Sequence, residues 1–318
     1  MAIFCPILSL IYLSFGDSEG LWTHLLESVL ARYVSTTVAL MLGVSCLTLL
    51  FGVATAWIVA AYQFRFSKLL DMVILLPIAC PAYLVAYAYT DFFEYAGPVQ
   101  GALRDMMGWK TARDYYFPEI RSLGGAIFVL SSVLYPYVYL LSRTAFRHIP
   151  ASFYEVAAIS NRNVFWNICL PLARPAIVAG LALVCMEVVS DFGTVEFFSL
   201  ETLTLGIFNV WIGMNNITAA AQISTFTFIF IILLLLTEMY SRSRKRFNDT
   251  SRKQTVAKPK IVTGFKAVLL YVVCLTPVIF GFVTPAAILL WNVVKSADMA
   301  AFLAVADVLK NSLLIATL

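Results

Sequence analysis

Long apolar stretches separated by short polar or charged segments dominate this chain. A bilayer core needs roughly 20 apolar residues per helix, and six stretches reach that length: Val34–Phe64, Leu69–Phe93, Gly124–Ser142, Ala176–Phe198, Ala219–Tyr240 and Ala267–Val294. Met1–Phe15 is apolar but shorter. It lacks a basic leader and a small-residue cleavage site, so it reads as a further membrane helix. Another apolar run opens at Leu313 and stops at Leu318, as if the chain were cut inside a helix. Pro77, Pro81, Pro136, Pro277 and Pro285 interrupt the stretches, and each removes a backbone donor.

Composition turns this pattern into a class. Of 318 residues, 61% are apolar and only 13% charged, about half the charged share of a soluble domain. The mean hydropathy is +0.86. That excludes a water-soluble fold, and polarity and glycine are too low for disorder or collagen. The expected fold is all-α, a polytopic transmembrane helix bundle. Cys5, Cys46, Cys80, Cys169, Cys185 and Cys274 show no C-x-x-C spacing and read as small apolar residues. With His24 and His148 alone, no metal site is assigned.

Charge sorts the loops. Segments 65–68, 143–175 and 241–266 follow the second, fourth and sixth crossings and hold 15 of the 22 Lys and Arg residues. Basic residues mark the cytoplasmic side, which places these loops and the N-terminus inside. Segment 241–266, with nine basic residues, reads as a cytoplasmic linker.

The 143–175 loop is long yet not very polar. Ala151–Ile159 reads as a short helix, with Ser152 and Glu155 at capping-box spacing, and Val164–Ile168 as a second short piece. Such elements must cover an apolar side, against either the bundle or a partner protein. Glu155, Ala157, Ala158, Ile168, Leu170 and Pro171 resemble the EAA loop of ABC-importer permeases. In that family the loop is the coupling helix that enters a cleft of the cytoplasmic ATPase. The family glycine falls on Asn161, and the Glu155-to-Leu170 interval is shorter by most of a helical turn. Asparagine is the next-best residue for a left-handed turn.

A second stretch narrows the resemblance. Leu170–Ile177, then Glu187 and Asp191-Phe192-Gly193-Thr194-Val195, is similar to the iron(III)-type permeases, as are Pro81-Ala82-Tyr83 and Ala86–Asp91. The resemblance implies a membrane subunit passing substrate, ferric iron by subfamily, from a periplasmic binding protein across a bacterial inner membrane. Thiamine, sulfate and polyamine permeases share the loop and are the alternatives. An ATP-independent transporter or channel would need no docking loop. No Gly-Lys dipeptide occurs, so there is no Walker A lysine. ATP would be used by a separate ATPase, and no catalytic residue, cofactor or nucleic-acid partner is expected in this chain. Iron-type members commonly fuse two permease repeats. Residues 1–240 then read as the first repeat, 241–266 as the linker and 267–318 as the start of the second.

Glu187 and Asp191, four apart, would share a helix face. Counted from Ala176 at about 1.5 Å per residue, Glu187 would lie near mid-membrane, where ionisable groups usually face a wet path. Tyr83 and Tyr87 join them as translocation-path candidates. Tyr135 and Tyr139 are phenols of the same kind, more often packing residues.

Overall fold

A computed structural model describes residues 5–18, 20–159, 163–243, 259–295 and 299–317. Its helices are α1 (Cys5–Ser14), α2 (Leu21–Ser28), α3 (Leu30–Ala61), α4 (Ser67–Val73), α5 (Ala82–Phe93), α6 (Pro98–Met107), α7 (Leu123–Arg147) and α8 (Ala151–Ile159). Then follow α9 (Leu170–Ser190), α10 (Gly193–Phe197), α11 (Leu203–Phe208), α12 (Ile217–Ser243), α13 (Phe265–Val278), α14 (Thr284–Lys295) and α15 (Met299–Thr317). Among the described residues four helical runs are long and apolar enough to cross a membrane, and a bent pair would make a fifth. Leu42, Leu50, Ile229, Leu233, Val272 and Leu290 are all exposed on the bundle. Lipid, not water, is the solvent that such a face requires.

The core is the packing of α3, α7 and α9. Val138 of α7 lies between two glycines. A Cβ on Gly52 of α3 would fall 2.7 Å from Val138 Cβ, and one on Gly180 of α9 would fall 2.8 Å from Val138 Cα. Small residues let helix backbones approach this closely in a membrane, where packing rather than water drives association.

The expected span Leu69–Phe93 is not one helix. A 3-10 turn at Leu76–Ala79 separates α4 from α5, and the two arms, Ser67–Ala79 and Ala82–Met107, meet at 81°. Pro77 and Pro81 cause this by removing donors. The Ile78 N–H turns to Leu75 O at 3.2 Å, which leaves Ile74 O without its helical donor. The Tyr135 hydroxyl of α7 donates to it at 2.7 Å. A similar repair holds the π-helical turn Ile279–Val283 that joins α13 to α14. There the Thr284 N–H bonds Ile279 O, and Pro285 has no N–H to offer Phe280 O. Tyr89 of α5 supplies the missing donor at 2.7 Å. The two breaks touch each other and a third. Pro136 leaves Ser132 O without a helical donor, and a Cβ on Gly281 would fall 2.1 Å from that oxygen and 3.0 Å from Pro77 Cβ.

Four further details differ from the sequence expectation. Val164–Ile168 is not a separate piece: a π-helical turn, Phe165–Cys169, runs directly into α9. It is capped by Asn163, whose side chain accepts from the Phe165 N–H at 3.0 Å. At its other end α9 stops at Ser190, because Asp191 turns extended (φ −67°, ψ 121°). Helix α8 starts at Ala151, so Ser152 lies inside its first turn rather than at its cap. The apolar run at Leu313 is the last part of α15, which opens at Met299.

The three basic loops meet at one end of the bundle. Residues 244–258 of the linker lie outside the described residues, but its tail pairs with the end of α3. Tyr62 and Gln63 run parallel to Lys260 and Ile261, and the Val262 N–H bonds Gln63 O at 2.9 Å. A cavity of about 380 Å³ opens there between Gln63, Lys68, Arg147, Tyr154 and Pro259. The loops that the charge pattern groups are therefore neighbours in space.

Candidate functional site

Helix α8 lies at this end, where an aromatic cluster joins α3, α7 and the head of α9. Trp57 of α3 meets Phe146 of α7 and Phe165 at the head of α9, with ring centroids 5.5 Å and 5.1 Å away. Phe146 and Phe165 are 6.3 Å apart. Tyr154 of α8 is half-buried against the core, and its hydroxyl oxygen receives the Cys169 thiol at 3.7 Å. Burial pushes the Tyr154 phenol above its ordinary range. Phe153, Glu155 and Ile159 are exposed. One side of α8 is thus rooted in the bundle, and the other is open. Of the remaining loop residues, Ile168, Leu170 and Pro171 are half-buried at the root of α9. Asn161 and the side chains of Ala157 and Ala158 lie outside the described residues.

Sequence reasoning overlooked an ion network beside this platform. Asp71 of α4 receives Arg143 and Tyr139 of α7 in close hydrogen bonds, and Arg147 at 3.2 Å. The Asp71 side chain is 14% exposed and that of Arg143 22%. The signal was available in the sequence. Tyr135, Tyr139, Arg143 and Arg147 recur every four residues, which makes one stripe down a helix. Tyr135 and Tyr139, weighed above as phenols of the path, are fully buried and fasten the break between α4 and α5.

The path candidates lie toward the opposite end. A Cβ on Gly193 of α10 would fall 3.0 Å from Tyr83 Cβ, and the ring of Phe197 meets Tyr87 edge-on at 5.8 Å. The Asp-Phe-Gly-Thr-Val segment is therefore seated on α5 beside both tyrosines, each of which is partly exposed. Asp191 caps α10: its oxygens accept from the Thr194 N–H and hydroxyl, both at 2.8 Å. Glu187 is exposed in the last turn of α9, not at its middle, because the helix begins earlier than Ala176. Asp191 has left the helix, so the two do not share a helical face. Among the described residues no group of three or more His, Cys, Asp or Glu could hold a metal ion. A larger cleft, about 830 Å³, lies between α5 and α14 and is lined by Tyr87, Asp91, Trp291, Asn292 and Lys295. The Asn292 amide donates to Asp91 across it at 2.8 Å.

Comparison with known proteins fits this geometry. PhnU of Salmonella choleraesuis, named as a 2-aminoethylphosphonate transport system permease, is 28% identical over 183 residues, 55% of this chain and 63% of its own length. The Fe(3+)-transport system permease FbpB 2 of Haemophilus influenzae is 24% identical over 195 residues, 60% of this chain and 34% of that protein. Other relatives are named for sulfate transport (Chlorokybus atmophyticus) and molybdenum transport (Escherichia coli). The chain thus spans under two thirds of the PhnU relative's length. Among solved structures, a chain of a bacterial alginate ABC transporter, in complex with an alginate-bound periplasmic protein, superposes with a TM-score of 0.57 at 16% identity. The match covers 76% of this chain and 88% of that one, and it shows the fold. Residues 48–246 match the family of binding-protein-dependent transport system inner membrane components, and this chain belongs to that family.

Proposed function

We propose that the chain is the membrane-spanning part of an ATP-driven importer that takes a small solute from a periplasmic binding protein. The observation that carries this reading is α8. It is tied by the Tyr154 hydroxyl to Cys169 at the root of α9 and presents Glu155 outward at the end where the basic loops meet. A short helix held this way passes a push from a partner into α7 and α9. The partner is a separate cytoplasmic ATPase. The basic loops put α8 and the N-terminus in the cytoplasm, and the residues after 266 begin a second repeat. The relatives' names divide among phosphonate, sulfate, iron and molybdenum, so ferric iron is one substrate arm among several.

Two measurements on the full-length protein test this. Glu155→Lys in the assembled transporter should lower both recovery of the ATPase in a pull-down and uptake, at normal membrane abundance. Charge-assisted hydrogen bonds of this kind contribute about 1.5–3 kcal/mol. Normal recovery with normal uptake would end the coupling assignment. Uptake with labelled ferric iron, sulfate, molybdate and 2-aminoethylphosphonate then separates the substrates. Transport without any ATPase would favour a self-sufficient transporter.

A further inference from the structure

We infer that Asp71 is a positioning residue that couples α8 to the break between α4 and α5; the inference rests on the importer reading above. Helix α4 has seven residues, too short to be stable by its own hydrogen bonds. Its place in the bundle is set by what fastens it. Asp71 is its one acidic residue, and it is gripped by the last three turns of α7: Tyr139, Arg143 and Arg147 all donate to its carboxylate. Tyr135, one turn earlier on the same stripe, holds Ile74 O at 2.7 Å. The break itself follows at once, in the 3-10 turn that contains Pro77.

The stripe ends three residues short of α8. Arg147 is the last residue of α7, and α8 opens at Ala151. A tilt of α8 therefore reaches Arg147 and Arg143 within a turn, and Asp71 hands it to the arm of the break that α4 forms. Charge makes the grip firm. The Arg143 Nε is buried with no hydrogen-bond partner, so the Asp71 carboxylate is the main counter-charge for a shielded guanidinium. Slipping off Asp71 would strand that charge in a low-dielectric setting. The arm therefore follows α7 rather than letting go. Tyr135 and Tyr139 keep the arm in register while it moves.

The test uses the full-length transporter in proteoliposomes with its ATPase and binding protein. ATP hydrolysis is measured with and without substrate-loaded binding protein, together with uptake per ATP. Asp71→Asn keeps the shape and removes the charge. It should leave the ATPase in the complex but lower the binding-protein-dependent stimulation roughly tenfold, within the usual range of coupling between two sites. Uptake per ATP should fall in parallel. Asp71→Glu should restore most of both, which a purely structural role would not require at normal abundance. If Asp71→Asn fails to assemble, Arg147→Gln serves in its place, since that side chain is 43% exposed. It should lower uptake per ATP several-fold, by the same coupling argument. Wild-type stimulation and uptake per ATP in either assembled variant would overturn the inference. A wild-type complex with no binding-protein-dependent hydrolysis would instead overturn the importer reading beneath it.

Discussion

The two ends of the bundle use charge differently. At the α8 end, Asp71 is 14% exposed and collects three donors from one helix. At the opposite end, Arg121 pairs with Glu94 in the loops that flank α6, with side chains 45% and 41% exposed. Exposed pairs contribute little, about 0–1 kcal/mol, whereas removing one partner of a shielded pair leaves a charge that nothing else solvates. The rest of that end is held by hydrogen bonds and stacking rather than by shielded ion pairs. Gln100 donates to Phe93 O at 2.7 Å and accepts from the Tyr115 hydroxyl at 2.6 Å, while Tyr115 stacks on Trp109 at 4.8 Å. One end is built to hold two helices in fixed relation. The other is a loop assembly whose charges remain open to solvent and to a partner.

The comparison breaks most easily at Asp71. Asp71→Ala should cost about 3–5 kcal/mol, because it strands Arg143, and Glu94→Ala about 0–1 kcal/mol. Detergent-solubilised full-length variants, followed by thermal unfolding or limited proteolysis, would show the difference. Equal losses, or a larger one at Glu94, would remove the distinction between the ends.

Packing at the three-way junction should give the next largest effect. Gly281→Ala places a Cβ 2.1 Å from Ser132 O, and forced overpacking costs about 1–3 kcal/mol. Gly213 is the control, since a Cβ there meets nothing within 4 Å. Gly213→Ala should be stable within about 0.5 kcal/mol. If both glycines tolerate alanine equally, the breaks at Pro77, Pro136 and Ile279–Val283 are not locked together.

Hydropathy was enough to place α3, α7, α12 and the α13–α14 run, because a window of apolar residues reports burial in lipid whatever the backbone does inside it. For the same reason it missed the bend between α4 and α5. Pro77 and Pro81 flagged an interruption, but the sharp angle depends on Tyr135 satisfying Ile74 O from another helix. The position of Glu187 along its helix was misread for a related reason. Arg174 and Pro175 looked like a boundary, yet Pro175 lies inside α9, which runs on from the turn at Phe165–Cys169. Loop parity was legible because basic residues cluster by side, and the pairing of Tyr62–Gln63 with Lys260–Ile261 brings two of those loops together. Asp71 stayed hidden among span boundaries. Its importance shows only beside the four-residue stripe from Tyr135 to Arg147.

Asp191 tests a third kind of contact. Its carboxylate caps a five-residue helix through Thr194, and losing an N-cap costs about 0.5–2 kcal/mol. Asp191→Asn should be milder than Asp191→Ala, since asparagine also caps well. Glu187→Ala, at an exposed position, should change stability by no more than about 0.5 kcal/mol. If Glu187→Ala also abolishes uptake in the full-length transporter, the exposed end of α9 faces the substrate path. Normal uptake would remove Glu187 from the path.

The smallest effect belongs to Asp114, in the loop between α6 and α7. Its carboxylate accepts from the backbone N–H groups of Thr111 and Lys110, each at 2.8 Å. These bonds favour the charged form and lower its pKa from the ordinary 3.8. A group whose folded pKa is depressed adds stability that is fully present above its unfolded pKa. That stability is lost as pH falls through the folded pKa. The window therefore lies below about 3.8, the unfolded carboxylate value, and the loop should not change between pH 6 and 8. Asp114→Asn removes the charge at every pH. It should speed amide exchange at Lys110 and Thr111 at neutral pH while leaving the thermal midpoint of the bundle in place. A large shift of that midpoint would mean that this end carries structural charge after all, and would erase the contrast with Asp71. Faster exchange confined to the loop, beside a collapse in Asp71→Ala, would draw the contrast at its sharpest.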